Sequence, residues 1–187
     1  AQRIAQDWLV LELTNNSGTA LGLVTALQFA PVLLFSLHGG AMADRVNKRI
    51  ALMWTNLGGF VFAMLLGVLV LADYVNLWHV YLCALGLGIS SAVDAPIRQS
   101  FVAEVVGRKD LGNAVSLNSA NFNAGRLVGP ALSGFIIARF GTGPSFVYNA
   151  LTYLVVIASL FAVREREFFV AEKKETQGNI REGIRYV

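Results

Sequence analysis

Gly40-Ala41-Met42-Ala43-Asp44-Arg45-Val46-Asn47-Lys48-Arg49 is a short charged segment between two long apolar runs of the chain. A glycine stands four residues before an Asp-Arg pair, and two more cations follow. Clustered cations between two membrane spans are typical of a tight connection on the cytoplasmic side. The segment therefore predicts a membrane helix on each side of it.

The composition of the whole chain agrees with a membrane protein. Of its 187 residues, 55% are hydrophobic and 14% are charged, and the mean hydropathy is +0.56. A soluble domain carries about 25% charged residues. The net charge is only +3 and the cations are clustered, so nothing favours a nucleic-acid partner. The sequence also offers no nucleotide-binding loop, metal-ligand cluster or Ser-His-Asp set, so it does not indicate an enzyme, a cofactor or a metal.

Apolar segments that approach the length needed to cross a bilayer, about 20 residues, predict an all-α membrane protein. Residues 1–13 are too few to span, and we expect them to be the end of a truncated first helix. The longest internal connection is expected at 94–113, which leaves Asp7 as the only carboxylate clearly inside a span. The six predicted helices are 1–13, 17–43, 50–72, 76–97, 114–138 and 143–163.

Lysine and arginine are unevenly distributed among the connections. Three lie after the second helix, three after the fourth and six in the tail, residues 164–187, whereas Arg139 lies on the other side. Positively charged connections stay on the cytoplasmic side, so we expect the helix 2–3 and 4–5 connections and the tail inside the cell. The end of the tail predicts an amphipathic helix on the inner membrane surface. For residues 164–179 a solvated linker is the alternative.

The predicted fifth helix has a close-packing face. Gly125, Gly129 and Ser133 are four residues apart, and small residues at this spacing mark helix–helix contacts in membranes. Similar stripes occur on the second, third and fourth predicted helices. Pro130 removes a backbone donor, so a bend is expected there.

The neighbouring face of the same helix is polar. Ser119, Asn123 and Arg126 fall on it, and a charge at membrane depth costs about 2.5–3.5 kcal/mol. Arg126 must therefore face a wet cavity or a partner, for which Asp7 is the natural candidate. It is then either a site for substrate or coupling ion, or part of an ion pair that holds helices together. Asp7 could instead pair with Arg3, one helical turn away.

Two motifs resemble those of the major facilitator superfamily of transporters. The segment at 40–49 is similar to the pattern Gly-x-x-x-Asp-Arg-x-Gly-Arg-Arg, with Asn47 in place of the second glycine and Lys48 in place of an arginine. The stretch Gly125-x-x-x-Gly129-Pro130-x-x-Ser133-Gly134 looks like the fifth-helix motif of the antiporter branch. Other stretches, including Asp94-Ala95-Pro96-Ile97-Arg98, are similar to the exporter subfamily that includes the enterobactin exporter.

The resemblance implies a twelve-helix protein made of two six-helix halves. Residues 1–163 would be the N-terminal transmembrane bundle, and residues 164–187 the start of a cytoplasmic central linker. The implied function is the export of small amphiphilic, drug-like or siderophore-like molecules across the cell (inner) membrane by alternating access, with proton antiport. The implied partners are membrane lipid, the substrate and the C-terminal half. The alternative is a non-transporting sensor or structural subunit on the same fold.

The resemblance also implies roles for individual residues. A negative charge at the end of the second helix is unfavourable, so Asp44 needs a cation, and Arg98 is a possible partner. In the family this aspartate also contacts the second half, whereas Arg45 and Lys48 could simply anchor lipid headgroups. The implied gating motif consists of Gly40, Asp44, Arg45, Lys48 and Arg49. The fifth-helix motif, implied to favour export, consists of Gly125, Gly129, Pro130, Ser133 and Gly134.

Overall fold

The structure is a computed structural model that describes residues 2–36 and 46–162, apart from the side chains of residues 36 and 107–109. Gly40, Asp44 and Arg45 of the predicted gating motif lie outside these residues, and so does the tail at 164–187. The described residues contain helices and turns and no strand, which confirms the all-α prediction. The helices are α1 (Gln2–Leu13), α2 (Gly18–Ser36), α3 (Lys48–Leu71), α4 (Leu77–Phe140) and α5 (Thr142–Ala162).

Short turns with left-handed backbone join most of these helices. Asn15 and Asn16 have φ of 50° and 66° in the connection from α1 to α2, and Asp73 has φ of 57° after α3. Asn and Asp tolerate this conformation better than other residues with a side chain. Gly141 has φ of 84° between α4 and α5. The chain can therefore reverse within a few residues and pack successive helices side by side.

Helices α3 and α5 pack antiparallel along their whole length, and three glycines allow the contact. A Cβ atom on Gly59 would lie 2.6 Å from the Tyr153 ring, and one on Gly67 would lie 2.9 Å from Cγ2 of Val147. At the end of α3, a Cβ on Gly143 would lie 2.8 Å from Cδ2 of Leu71. Close backbone approach of this kind is how membrane helices gain van der Waals contact.

Helix α4 folds back on itself. Phe140 is joined through Gly141 to the start of α5, which contacts the end of α3 as described above. Leu77 follows the same end of α3 after residues 72–76, so the two ends of α4 lie at one end of the bundle. A straight helix of 64 residues would be about 96 Å long. The chain must therefore reverse direction within α4.

This reversal lies between Glu104 and Leu111. Glu104 pairs with Lys48 at the far end of the bundle, while Leu111 lines the same cavity as Val102. We call residues 77–104 the first arm of α4 and residues 111–140 its second arm. The two arms run antiparallel.

The predicted helices 76–97 and 114–138 lie on the two antiparallel arms. The first arm continues as a helix beyond the predicted end at residue 97, with Pro96 inside it, so residues 94–104 of the connection expected at 94–113 are helical. The reason is tertiary packing, because Ile97 and Phe101 are buried against Leu52 of α3 and hold the first arm helical beyond Pro96.

Two apolar clusters form the core, one toward each end of the bundle. Leu66, Val80 and Phe146 are fully buried in the first cluster, together with Ala5 and Val10 of α1. The second cluster contains Leu52, Ile97, Phe101 and Leu160. Residues 55–56 of α3 and 90–94 of the first arm lie between the two clusters. A polar layer in the middle of the bundle occupies this position.

Four stretches of the described residues are long and apolar enough to cross a membrane. They are Gly18–Phe35, Lys48–Leu71, Leu77–Val106 and Thr142–Ala162. The predicted span at 114–138 is not among them. Four asparagines and Arg126 lower the hydropathy of the second arm below that of these stretches.

Candidate functional site

A cavity of about 860 Å³ opens beside the polar layer. Thr55 and Asn56 of α3 form one wall, and Ser90, Asp94 and Arg98 of the first arm form the next. The second arm closes the opposite side with Asn118, Ser119 and Phe122, and Arg3 and Tyr153 reach in from α1 and α5. The volume falls within the range of about 300–1,000 Å³ that is usual for small-molecule sites.

The centre of the polar wall is the carboxylate of Asp94. Arg98 donates from Nε to Oδ2 at 2.7 Å and from Nη2 to Oδ1 at 3.0 Å. Thr55 Oγ1 and Asn56 Nδ2 donate to Oδ1 at 2.8 Å and 3.0 Å across the contact between α3 and the first arm. Charge-assisted bonds to one carboxylate are stronger than neutral ones, so this group joins the two helices firmly.

This geometry corrects one expectation. Asp94 lies within an apolar stretch, Leu77–Val106, so Asp7 is not the only carboxylate inside a span. Arg98 pairs with Asp94, and its predicted contact with Asp44 stays a prediction, because Asp44 lies outside the described residues. The missed signal was the spacing of Asp94 and Arg98, four residues apart on one helix, which places opposite charges side by side.

Lys48 and Arg49 tie the start of α3 to its neighbours. Lys48 forms an ion pair with Glu104 of the first arm, and its side chain is only 14% exposed. Arg49 donates to the backbone oxygens of Leu160 and Phe161 at 2.8 Å and 3.1 Å. These carbonyls lie in the last described turn of α5.

Asn47, which replaces the family's glycine, caps α3. Its backbone is extended, with φ of −66° and ψ of 105°, and its side-chain oxygen accepts from the amide of Ile50 at 3.2 Å. Asparagine is among the preferred residues at this position. The substitution therefore supplies a helix start and does not need a left-handed turn.

The fifth-helix motif lies on the second arm and is only partly packed. Ser133 is buried, with its Oγ 3.2 Å from Oγ of Ser145 in α5. Gly129 is half-buried and Pro130 is exposed, whereas a Cβ on Gly125 or Gly134 would meet nothing within 4 Å. Much of this predicted packing face is therefore uncovered in the part of the chain that the structure describes.

The predicted polar residues do not form one cluster. Ser119 lines the cavity, and its carbonyl accepts from Asn123 Nδ2 at 2.9 Å. Arg126 is exposed and lies over the Phe122 ring, 5.7 Å from its centre, without the predicted contact to Asp7. Asp7 is half-buried, and its Oδ1 has no hydrogen-bond partner among the described residues.

The relatives of this chain are transporters. Over 156 residues it is 30% identical to the staphyloferrin A transporter of Staphylococcus aureus, a match that covers 83% of this chain and 39% of that protein. It is 31% identical over 171 residues to the multidrug resistance protein MdtG of Citrobacter koseri, covering 89% and 40%. Multidrug resistance protein 2 of Bacillus subtilis is 26% identical over 156 residues, covering 83% and 38%. The chain thus spans about two fifths of the length of these curated relatives.

No solved structure matches the chain. The family profile described as "Transmembrane secretion effector" matches residues 1–187, that is, the whole chain. Together with the transporter relatives and the apolar helices, this match makes the chain a multi-pass membrane protein. The chain belongs to the transmembrane secretion effectors, an exporter family of the major facilitator superfamily.

Proposed function

We propose that the protein exports small amphiphilic molecules, drug-like or siderophore-like, across the cell inner membrane by alternating access coupled to proton antiport. The observation that carries this proposal is the cavity of about 860 Å³ with one charged, hydrogen-bonded wall. Apolar residues such as Val32, Val102 and Phe122 share the lining with Asp94 and Arg98. A mixed lining of this kind suits a molecule with apolar and polar parts.

We expect a C-terminal six-helix bundle to form the other half of the transport path. The chain spans about 39% of the staphyloferrin A transporter, and the second arm exposes large apolar side chains. Leu117, Phe122 and Leu127 are 73%, 65% and 78% exposed. Such residues need to be covered by lipid or by another helical bundle.

The charged ends of the bundle support an orientation with three basic segments in the cytoplasm. Lys48 and Arg49 hold the start of α3 against Glu104 and the end of α5. The start of α3, the reversal in α4 and the last described turn of α5 therefore lie at one end of the bundle. They border the segments rich in lysine and arginine, which favour the cytoplasmic side. In this arrangement Gly40, Asp44 and Arg45 would form the inner gate.

We infer that Asp94 is the carboxylate that exchanges protons. Its neighbours are Thr55 and Asn56 from α3 and Arg98 from its own helix, and the same cavity is lined by Arg3 and Tyr153. Protonation of Asp94 would remove the charge that holds Arg98 and weaken the joint between α3 and the first arm. Ionisable residues at membrane depth commonly serve as proton relays.

Everted membrane vesicles containing the full-length protein test this function. With an acid-inside pH gradient, we expect uptake of the amphiphilic dye rhodamine B ethyl ester, together with proton release that depends on the dye. Asp94→Asn should abolish the coupled proton flux, whereas Asp7→Asn should retain it. A protein that binds dye without any flux in the gradient would be a sensor on the same fold, and the export proposal would be wrong.

A further inference from the structure

A smaller cavity of about 80 Å³ adjoins the main one, between α1, α2 and the first arm. Gln2 and Gln6 of α1, Gln28 of α2 and Leu87 of the first arm are among its lining residues, and we call it the glutamine recess. It shares Arg3, Ser91 and Tyr153 with the main cavity. The glutamine recess is therefore a side chamber of the space in which we place the exported molecule.

Two amide nitrogens at the recess are buried and have no hydrogen-bond partner within the described residues. Gln6 is 1% exposed, and its Oε1 accepts from Gln28 Nε2 at 3.0 Å, which leaves its Nε2 unpaired. The Oε1 of Gln2 accepts from Asn149 Nδ2 at 2.9 Å, and its Nε2 is likewise buried and unpaired. Buried polar groups are rarely left unsatisfied, so these donors are positioned for an acceptor that comes from outside the chain.

The other polar groups at the recess are also suited to an anionic acceptor. Arg3 carries a positive charge, and the hydroxyl groups of Ser91 and Tyr153 can donate. Among its described lining residues there is no acid. A carboxylate accepts several hydrogen bonds and is stabilised by a cation such as Arg3, whose exposed guanidinium lies over the Phe29 ring, 4.4 Å from its centre.

We propose that the glutamine recess binds a carboxylate group carried by the molecule in the main cavity. Gln2 and Gln6 donate to the carboxylate oxygens, Arg3 supplies the opposite charge, and the main cavity holds the rest of the molecule. This assignment rests on the proposed export function for the identity of the carrier, but the recess itself can be tested by binding alone.

Two acids lie near the recess without lining it. Asp7 stands one helical turn after Arg3, and its negative charge offsets the positive charge of Arg3. Asp94 on the main cavity wall is already held by Arg98, Thr55 and Asn56. Removing the negative charge of Asp7 leaves the positive charge of Arg3 without this compensation, so Asp7→Asn should bind a carboxylate more tightly.

Equilibrium binding of two matched dyes tests the proposal. Rhodamine B has a free carboxylate and its ethyl ester does not, and fluorescence anisotropy measures both with the full-length protein in detergent. We expect wild type to bind rhodamine B about tenfold more tightly than the ester, the equivalent of about 1.4 kcal/mol. Gln6→Met should remove this preference without changing the affinity for the ester. Thr25→Val, which removes an exposed hydroxyl bonded within α2, is the matched control and should keep the preference.

Other outcomes of the same experiment are decisive. Wild type that binds both dyes equally, or neither, overturns the proposal, because the recess then holds water only. Gln6→Met that weakens both dyes equally also overturns it, since the side chain is then merely structural. If Gln6→Met does not fold, two other variants give the same test. Gln2→Met, on the other wall, should lose the preference for rhodamine B, and Asp7→Asn should show a stronger preference.

Acetate identifies the source of the carboxylate. If acetate displaces rhodamine B but not the ester, free carboxylates also enter the recess. If acetate does not displace rhodamine B, the recess accepts a carboxylate only when an amphiphilic molecule carries it. Both results support a carboxylate site. The export function and the carboxylate site can fail independently. If the vesicles show no flux but the protein still prefers rhodamine B over its ester, the proposed function is wrong and the carboxylate site is supported. If the flux is intact but both dyes bind equally, only the carboxylate site is wrong.

Discussion

Thr55 on α3 donates a hydrogen bond of 2.8 Å to Asp94 on the first arm of α4, across the contact between the two helices. The same hydroxyl also lies 3.0 Å from the carbonyl oxygen of Leu52 in its own helix. A side chain of moderate size thus connects a helix backbone with a charged group on its neighbour. This hydrogen bond lies in the polar layer between the two apolar clusters. A displacement of one helix there would directly alter the contacts of the other.

Replacing Thr55 by valine should weaken this joint. The change keeps the shape of the side chain and removes one hydrogen bond to a carboxylate that retains Arg98 and Asn56. We expect a loss of about 1 kcal/mol in the free energy of unfolding, measured by denaturation in detergent. Thr25→Val is the matched control, because its hydroxyl is exposed and bonds only the carbonyl of Leu21. Equal stability of the two variants would show that the Thr55–Asp94 bond contributes nothing.

Removing the positive charge beside Asp94 should be partly reversed by removing the negative one. Arg98→Met leaves the carboxylate with two neutral donors, and because Arg98 is 41% exposed we expect a loss of only about 1 kcal/mol. The double variant Asp94→Asn/Arg98→Met should recover part of this loss. A double-mutant cycle measures the coupling between the two residues. Strictly additive losses would exclude a direct interaction.

Gly88 should not tolerate even one added methyl group. A Cβ atom there would lie 2.8 Å from the backbone oxygen of Gln28 and 2.9 Å from that of Leu27, so α2 would have to move. We expect Gly88→Ala to cost about 1–3 kcal/mol, as overpacking does. Gly22→Ala on α2 is the control, because a Cβ there meets nothing within 4 Å and alanine favours the helix by about 1 kcal/mol. Similar melting temperatures for the two variants would contradict the close approach of α2 and the first arm.

Arg49 should protect the end of α5 from local unfolding. Its guanidinium donates to the backbone carbonyls of Leu160 and Phe161, in the last described turn of the helix. In Arg49→Ala we expect faster hydrogen exchange in the last turn of α5, by about fivefold for a loss of about 1 kcal/mol, with little change in the middle of the helix. Arg139→Ala is the comparison, since it removes an arginine from the opposite end of the bundle. Unchanged exchange at Ser159–Ala162 would rule out this capping role.

The apolar helices could be predicted from the sequence because each carries its own signal. Residues 50–72 and 143–163 are long charge-free runs, and the structure has helices at Lys48–Leu71 and Thr142–Ala162. The small stripes on α3 and the first arm also lie at contacts, as Gly59 and Gly88 show. Local composition was enough for these features because the membrane requires every span to be helical and apolar.

The polar groups of the site could be predicted only in part. Arg126 and Asn123 stood out as polar residues in a predicted span, yet they lie outside the cavity lining, while Ser119 lies in it. The glutamines of the recess gave no signal, because a single Gln in an apolar helix has no periodicity of its own. Which of these glutamines come into contact depends on how α1, α2 and α4 pack. The contacts could therefore not be predicted from the sequence alone.

The reversal of α4 has a consequence for how the protein enters the membrane during synthesis. The second arm carries Arg126 and several asparagines and is not apolar enough to qualify as a membrane helix by itself. The first arm is long and apolar, and the turn that joins the two is short. We therefore expect the two arms to enter the membrane together as one hairpin. The apolar first arm then offsets the free-energy cost of inserting the polar second arm. Lengthening that turn with a flexible insert would separate the two events and leave the second arm stranded outside the bilayer.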